Sequence, residues 1–272
     1  MRYIVFIVFT MFLSCQHASK NENLHKIVSG NWFILYPEED LLNKKQDSIY
    51  AVIQDSLTGL KCLKLIRFSE NGAFNQIDSV NIKGNWTIKE ENNLIVYDGG
   101  RGFGSFKSVF SGFKDGVLRL TEVVNMGEQR LKLIWHLKKI DKGYATKLFD
   151  EEYNRWRRRP DRIESDDELK ERVFKMVEYY STYFQLIADE SSYFIPGRII
   201  LPVNFYRHGI SLKKFDDQSK FASFFYTNEQ AKMAYLFLEA AYDNAKLDIP
   251  EKKSYSAEYS LMLKEIAQNL EK

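Results

Sequence analysis

The feature that most constrains this chain is a change in hydrophobic period near Tyr144: apolar residues recur at every second position before it and at every third or fourth after it. Period two describes strands with one buried face and period 3.6 describes amphipathic helices, so two architectures follow one another along the chain. The clearest strand has Leu131, Leu133, Trp135 and Leu137 on one face and Arg130, Lys132, His136 and Lys138 on the other. Asn71-Gly72 separates a run at 63–68 from one at 73–77, and Asp115-Gly116 separates 106–113 from 117–124. Such dipeptides accept the positive φ angles of tight hairpins. With 32–36, 49–53, 85–89 and 94–98 the spacing predicts eight or nine short antiparallel strands. Strands so numerous must hide their edges, which favours an up-and-down barrel over a sandwich.

Beyond Tyr144, Phe149, Tyr153 and Trp156 share a helix face ending before Pro160, and Leu169, Val173, Met176, Tyr180, Phe184 and Ile187 form a longer stripe. Ser165 to Glu168 is a capping box ahead of that stripe. Thr227 to Gln230 repeats it before Ala234, Leu238 and Ala241, and Asp248 to Glu251 before Tyr259, Leu263, Ile266 and Leu270. A helical bundle is predicted, with 212–225 as a further helix. Residues 193–210 fit no helix period: two apolar runs broken by Pro196 and Pro202 predict a loop that docks on the bundle core or on the barrel's open end. Ile200, Leu201, Phe205 and Tyr206 are its candidate partner-binding residues.

The first fifteen residues carry an address. Arg2 precedes an apolar run from Tyr3 to Leu13, then Ser14 and Cys15. The run is too short for the ~20 residues of a membrane-spanning helix and reads as a secretory leader. Phe12-Leu13-Ser14-Cys15 resembles the lipobox of bacterial lipoproteins. That resemblance implies cleavage before Cys15, a diacylglycerol thioether on its sulfur and a fatty acid such as palmitate on its new amine. Several acyl chains would hold the protein on a membrane without spanning it. Asp47-Ser48-Ile49, Asp55-Ser56-Leu57 and Asp78-Ser79-Val80 resemble acceptor sites of O-glycosylation in Bacteroidota. Gly30-Asn31-Trp32, Gly84-Asn85-Trp86 and Phe68-x-x-x-Gly72-x-Phe74 are similar to lipocalin-like domains of bacterial lipoproteins. The lipocalin resemblance implies a barrel whose Trp32 plugs one end against a basic residue of the last strand, Arg130 or a neighbouring lysine.

Few signals of chemistry remain. The formal net charge is +2 with both signs interspersed, unlike a nucleic-acid binder. Cys62 is the only cysteine besides Cys15, so no internal disulfide forms once the anchor is made, and Cys62 reads as core. His17, His25, His136 and His208 have no metal-ligand spacing, and His208 reads as a hydrogen-bonded loop residue. The glycine-rich run 99–104 is followed by a strand-like segment instead of the helix a phosphate loop needs, so it reads as a rim loop. Arg155, Arg157, Arg158 and Arg159 read as a solvated helix end or as a contact with anionic lipid headgroups.

The sequence therefore predicts an α+β protein: signal peptide 1–14, tether 15–25, antiparallel lipocalin-like β-barrel 26–142 and α-helical domain 143–272. The expected role is a non-catalytic, lipid-anchored outer-membrane protein without metal or cofactor that acts as an interaction scaffold for another envelope protein. The alternative is binding of a small apolar or amphipathic ligand in the barrel, where Trp32 and Trp135 are candidate contacts.

Overall fold

Eight antiparallel strands close into a barrel in the order in which they occur in the chain: β1 (Gly30–Leu41), β2 (Leu65–Phe68), β3 (Ala73–Ile77), β4 (Asn81–Lys89), β5 (Leu94–Asp98), β6 (Ser105–Lys114), β7 (Val117–Met126) and β8 (Gln129–Lys139). β8 pairs back onto β1, with Trp32 opposite Lys139. The structure, a computed structural model, describes residues 24–41, 65–77, 81–89, 93–98, 105–126, 129–190, 199–252 and 254–271. The predicted strand at 49–53, the glycine-rich run, Cys62 and the three Asp-Ser motifs lie outside them. The chain divides into two units, Met1–Ile140 and Asp141–Lys272. The α+β class and the barrel followed by helices are as the two periods predict.

Turn chemistry sets the strand pairing. Asp115 and Gly116 both have positive φ, 53° and 74°, which closes the β6–β7 hairpin with the right-handed twist of its strands. A bulge between Phe110 and Gly112 then shifts the register of β6 against β7 by one residue.

One end of the barrel is closed by aromatic side chains and a short helical segment, residues 24–28. Trp32, Phe68, Phe74 and Trp86 are all at most 2% exposed there, and Leu24 and Val28 pack into the same cluster. The Trp32 indole donates to the Val28 carbonyl at 2.7 Å, and the Trp86 indole to the Ser69 carbonyl at 2.8 Å. His25 stacks on Trp86 with centroids 4.6 Å apart. Each large apolar body is thus buried with its one polar group satisfied.

The strict inside/outside alternation expected of the strands is corrected. Leu133, Trp135 and Leu137 face the interior, but His136, placed by the period on the solvent face, is only 7% exposed. Phe33, Leu65 and Ile77 form a cross-strand row on the outer face, and all are nearly inaccessible to water. The outer wall is therefore apolar and covered along this row, which a two-residue period cannot express.

The second unit is built on α1 (Asp166–Asp189), α2 (Asn228–Asp243) and α3 (Tyr255–Leu270), with a hairpin of β9 (Val203–Tyr206) and β10 (Gly209–Leu212). The Ser165–Glu168 capping box opens α1. Thr227 caps α2, but Gln230 turns its side chain away and donates to the Glu164 carbonyl at 2.7 Å. Helix α3 starts later than its predicted cap at 248–251: Ser254 accepts from Ala257, because Pro250 disfavours helical geometry at Ile249. α1 and α3 approach closely enough for reciprocal bonds, each serine of Ser181 and Ser260 donating to the other's carbonyl at 2.8 Å.

Two predicted helices are absent. The segment expected to be helical up to Pro160 contains only one helical turn at Gly143–Thr146 and 3₁₀ turns at Lys147–Phe149 and Arg155–Arg157. The Asp150 carboxylate accepts from the Glu152 and Tyr153 amides, a local turn that competes with helix propagation. The expected helix at 212–225 is instead the end of β10, an irregular stretch and a 3₁₀ turn at Ala222–Phe224.

Candidate functional site

The inner face of the barrel is mostly apolar among its described groups, with Gln76 between Ile66 and Ile82 and a Ser108–Glu122 pair as its polar members. Ser108 on β6 lies opposite Ile95 on β5, and Glu122 on β7 lies opposite Leu133 on β8. The bulge in β6 brings the two polar residues together, and the Ser108 hydroxyl donates to Glu122 Oε1 at 2.5 Å. Ser108 is 0% exposed and Glu122 is half-buried. Ile95, Leu120, Leu133 and Trp135 share this inner face and belong to the interior cluster. A carboxylate in such surroundings is costly unless it is bonded, and it favours a donor, either a hydroxyl or an ammonium. Apolar walls with one or two fixed polar groups are the usual make-up of a small-molecule site.

Sequence reasoning placed Trp32 and Trp135 in the barrel but missed Ser108 and Glu122. The two tryptophans occupy different levels. Trp32 is part of the closed end, with the Lys139 ammonium 5.9 Å from its ring centroid. Register decides which basic residue takes that place: Lys139 lies opposite Trp32, whereas Arg130 lies opposite Asn125 near the other end of β8. Trp135 lies opposite Leu120, one inward position from Leu133 and so beside Glu122 on the inner face.

The four loop residues of the second unit are placed differently from expectation. Ile200 and Leu201 are 3% and 1% exposed, and the Ile200 amide donates to the Tyr180 hydroxyl at 3.1 Å. Burial pushes that hydroxyl up to about 12, so it stays protonated at neutral pH. Phe205 lies against Phe184 and Tyr259, with centroids 5.1 and 4.9 Å apart. Only Tyr206 is exposed, at 52%; its ring covers Gly209 and its hydroxyl donates to the Ile210 carbonyl. Residues 203–212, which span the end of the predicted loop at 193–210 and the start of the predicted helix at 212–225, form a two-stranded hairpin whose turn carries His208 at φ 59°. His208 Nδ1 lies 3.1 Å from Glu258 Oε2, and Glu258 is 1% exposed. Cys15 lies outside the described residues.

The arginine run is largely solvated, as expected, but it follows a 3₁₀ turn and not a helix, and two of its members are tied into the fold. Arg157 lies over the rings of Trp156 and Tyr179, at 4.5 and 4.4 Å from their centroids, and bonds Asn154. Arg159 donates to the Phe225 and Tyr226 carbonyls, each at 2.9 Å. Arg155, Arg158 and Arg159 are exposed, the first two near Glu152 and Glu151. No group of three or more metal-ligating side chains occurs among the described residues, and no described helix is long and apolar enough to cross a membrane.

No protein-family model matches the chain, and neither a curated protein nor a solved structure does. The eight-stranded barrel stands on its own geometry. It is a fold compatible with ligand binding of the lipocalin kind, since barrels of this strand number have interiors just wide enough for side chains or one small ligand.

Proposed function

We propose that this protein binds one small amphipathic molecule in its barrel, with the molecule's apolar part against Trp135, Leu133 and Leu120 and a hydroxyl or ammonium donating to Glu122. The observation that carries the reading is the Ser108–Glu122 pair, a charge-assisted hydrogen bond on a mostly apolar inner face. The role is binding without turnover. Of the scaffold reading, only the docking loop loses support, because Ile200 and Leu201 pack inside their own unit.

The same proposal places the protein on the outer membrane, exported and acylated at Cys15. Its support is the sequence of the first fifteen residues, a single cation, a short apolar run and Ser14-Cys15.

Native mass spectrometry of the protein extracted from its own envelope tests both parts. The expected spectrum carries the mass of acyl chains on the polypeptide and of one further non-covalent small molecule, which the Glu122→Leu variant lacks. A wild-type protein with an empty barrel overturns the ligand reading. A Cys15→Ser protein is expected in the soluble fraction without acyl mass, and a wild-type protein that is uncleaved and unacylated overturns the anchor.

A further inference from the structure

The outer wall of the barrel differs from one side to the other. Along the row of Phe33, Leu65 and Ile77 it is covered, but on β6 and β7 Lys107, Val109, Lys114, Arg119 and Val123 are exposed. Alternation and register fix which residues share this bare side, because Ser108, Leu118, Leu120, Leu133, Trp135 and Leu137 face inward. Lys114 and Lys138 both lie opposite Val117, one on each side of β7, so their backbones stand about 10 Å apart. Arg119 is the next outward position along β7, about 7 Å from Val117. Val109 lies opposite Thr121, which makes Val109 and Val123 diagonal neighbours, 41% and 46% exposed.

Charge on this side has one sign. The only carboxylate in β6, β7 and β8 is Glu122, which faces inward to Ser108. Lys107, Lys114, Arg119 and Lys138 form no ion pair among the described residues, and Lys138 donates to the Asp115 carbonyl at 3.4 Å. Carboxylates border the side: Asp115 in the β6–β7 turn, Asp98 opposite Ser105, and Glu38 and Asp40 of β1 opposite Ile134 and Lys132. Lys132 is thus balanced in register, and Lys107, Lys114, Arg119 and Lys138 are the cations that face no carboxylate directly across a strand.

From this pattern we infer that the outer wall of β6 to β8 is a contact surface for an anionic lipid bilayer, with its cations among the lipid phosphates and Val109 and Val123 at the level below them. Each basic residue near an anionic leaflet adds attraction, and lysine and arginine stems lie along apolar surface while their charges reach the headgroups. A protein partner fits less well: the outward positions of these strands hold no Phe, Tyr or Trp, and lysine is depleted where proteins meet. A second copy of the chain would bring like charge against like. The choice of a bilayer rests on the proposed anchor at Cys15. The Lys139 amide donates to the Gly116 carbonyl at 3.1 Å, which places the β6–β7 turn at the closed end, where the chain enters the fold at Leu24. Leu24 is nine residues from Cys15, a reach of at most about 30 Å, so an acylated Cys15 would keep this end of the wall within that distance of headgroups.

The test is flotation of the full chain bearing Cys15→Ser with vesicles of phosphatidylcholine, alone or mixed with phosphatidylglycerol. Vesicles containing phosphatidylglycerol are expected to carry at least about tenfold more protein than neutral ones, and high salt to remove the difference. Lys107→Gln, Lys114→Gln and Arg119→Gln are each expected to lower partition onto the anionic vesicles about fivefold, the worth of one basic residue near such a surface. Val109→Ser/Val123→Ser should weaken partition and leave its salt dependence unchanged. Arg155→Gln and Arg158→Gln, at exposed cations of the other unit, should change nothing. The apolar run at 3–13 is common to every variant, so comparisons between variants are free of its pull. Equal partition onto neutral and anionic vesicles, or a loss with Arg155→Gln and none with the three wall variants, overturns the proposal. Binding of poly-glutamate through the same wall without partition onto anionic vesicles also overturns it and assigns the wall to an acidic protein. The tested chain has no acyl chains and an intact Glu122, so failure here is distinguishable from an unacylated Cys15 or an empty barrel in the mass spectrum.

Discussion

Removing Ser108 and Glu122 together is expected to cost far less stability than the two single substitutions summed. Ser108→Ala deprives a half-buried carboxylate of a charge-assisted hydrogen bond at 2.5 Å. Such bonds contribute ~1.5–3 kcal/mol, and the partial solvation of Glu122 puts the loss near the lower figure, ~1.5 kcal/mol. Glu122→Leu removes the acceptor from a hydroxyl that is 0% exposed. That costs ~1–3 kcal/mol, offset by ~0.8 kcal/mol for each added buried methylene, for a net of ~1 kcal/mol. In Ser108→Ala/Glu122→Leu neither member of the pair remains, and the patch beside Ile95 and Leu133 becomes apolar at a cost between about zero and a gain of ~1 kcal/mol. The singles sum to ~2.5 kcal/mol, so the coupling energy is roughly 2.5–3.5 kcal/mol. Scanning calorimetry of the barrel transition measures it, at roughly 4 °C per kcal/mol for a unit of this size. A double variant that melts at the sum of the two single shifts would refute the energetic reading of the pair. A double variant at least as stable as the wild type, yet without bound small molecule, would mean that the pair is kept at the expense of stability.

Three further outcomes follow from the packing. Trp32→Ala at the closed end empties a fully buried indole site and is expected to destabilise the barrel by ~3–5 kcal/mol in urea titration; less than ~1 kcal/mol would mean that residues 24–28 close the end without it. Arg172 binds both Glu164 oxygens, at 2.8 and 2.5 Å, with each side chain 10% exposed, and also donates to the Trp156 and Arg158 carbonyls. Arg172→Met should therefore cost ~3–5 kcal/mol and Arg172→Met/Glu164→Leu clearly less, since the lone buried carboxylate is the expensive species; equal costs would contradict that. The bidentate Arg162 holds the Glu168 carboxyl down at about 2, below its ordinary value of 4.5. A carboxyl depressed by folding stabilises above its unfolded value and loses that contribution as pH falls towards the folded one, so Glu168→Gln should flatten the acid limb of stability between about pH 5 and 2, and parallel limbs for the two proteins would count against it.

How far the fold was legible depends on what a period can encode. Strands at 73–77 and 94–98 coincide with their predicted bounds because turn residues precede them, Gly72 at φ 82° and Asn93 at φ 52°. The Ser165 box worked because the capping residues are three apart in sequence and need nothing distant. The helix expected to end at Pro160 failed because its stripe of Phe149, Tyr153 and Trp156 ignores what the Asp150 side chain does to the backbone. His136 and the row of Phe33, Leu65 and Ile77 show the limit of alternation, which reports that two faces differ and not whether the second face meets water.

The candidate site was hidden for a different reason. Counting outward from the Asp115-Gly116 turn, with Lys114 opposite Val117, an unbroken hairpin sets Ser108 against Val123 and separates it from Glu122. The bulge at Gly112 moves the pairing by one, and no residue pattern read without the register discloses it. The same holds for Lys139, whose role at Trp32 follows from where β8 ends.

An even number of antiparallel strands has a topological parity: the polypeptide leaves the cylinder at the rim where it came in. Gly30 begins β1 and Lys139 ends β8 beside Trp32, so the incoming and outgoing segments share one mouth of the cylinder, and strands β1, β3, β5 and β7 all end at the opposite mouth. Evolution can therefore lengthen, shorten or rewrite the connections that follow those four strands, and with them whatever enters there, without pulling on either attachment. A ninth strand would have moved one attachment to the opposite mouth.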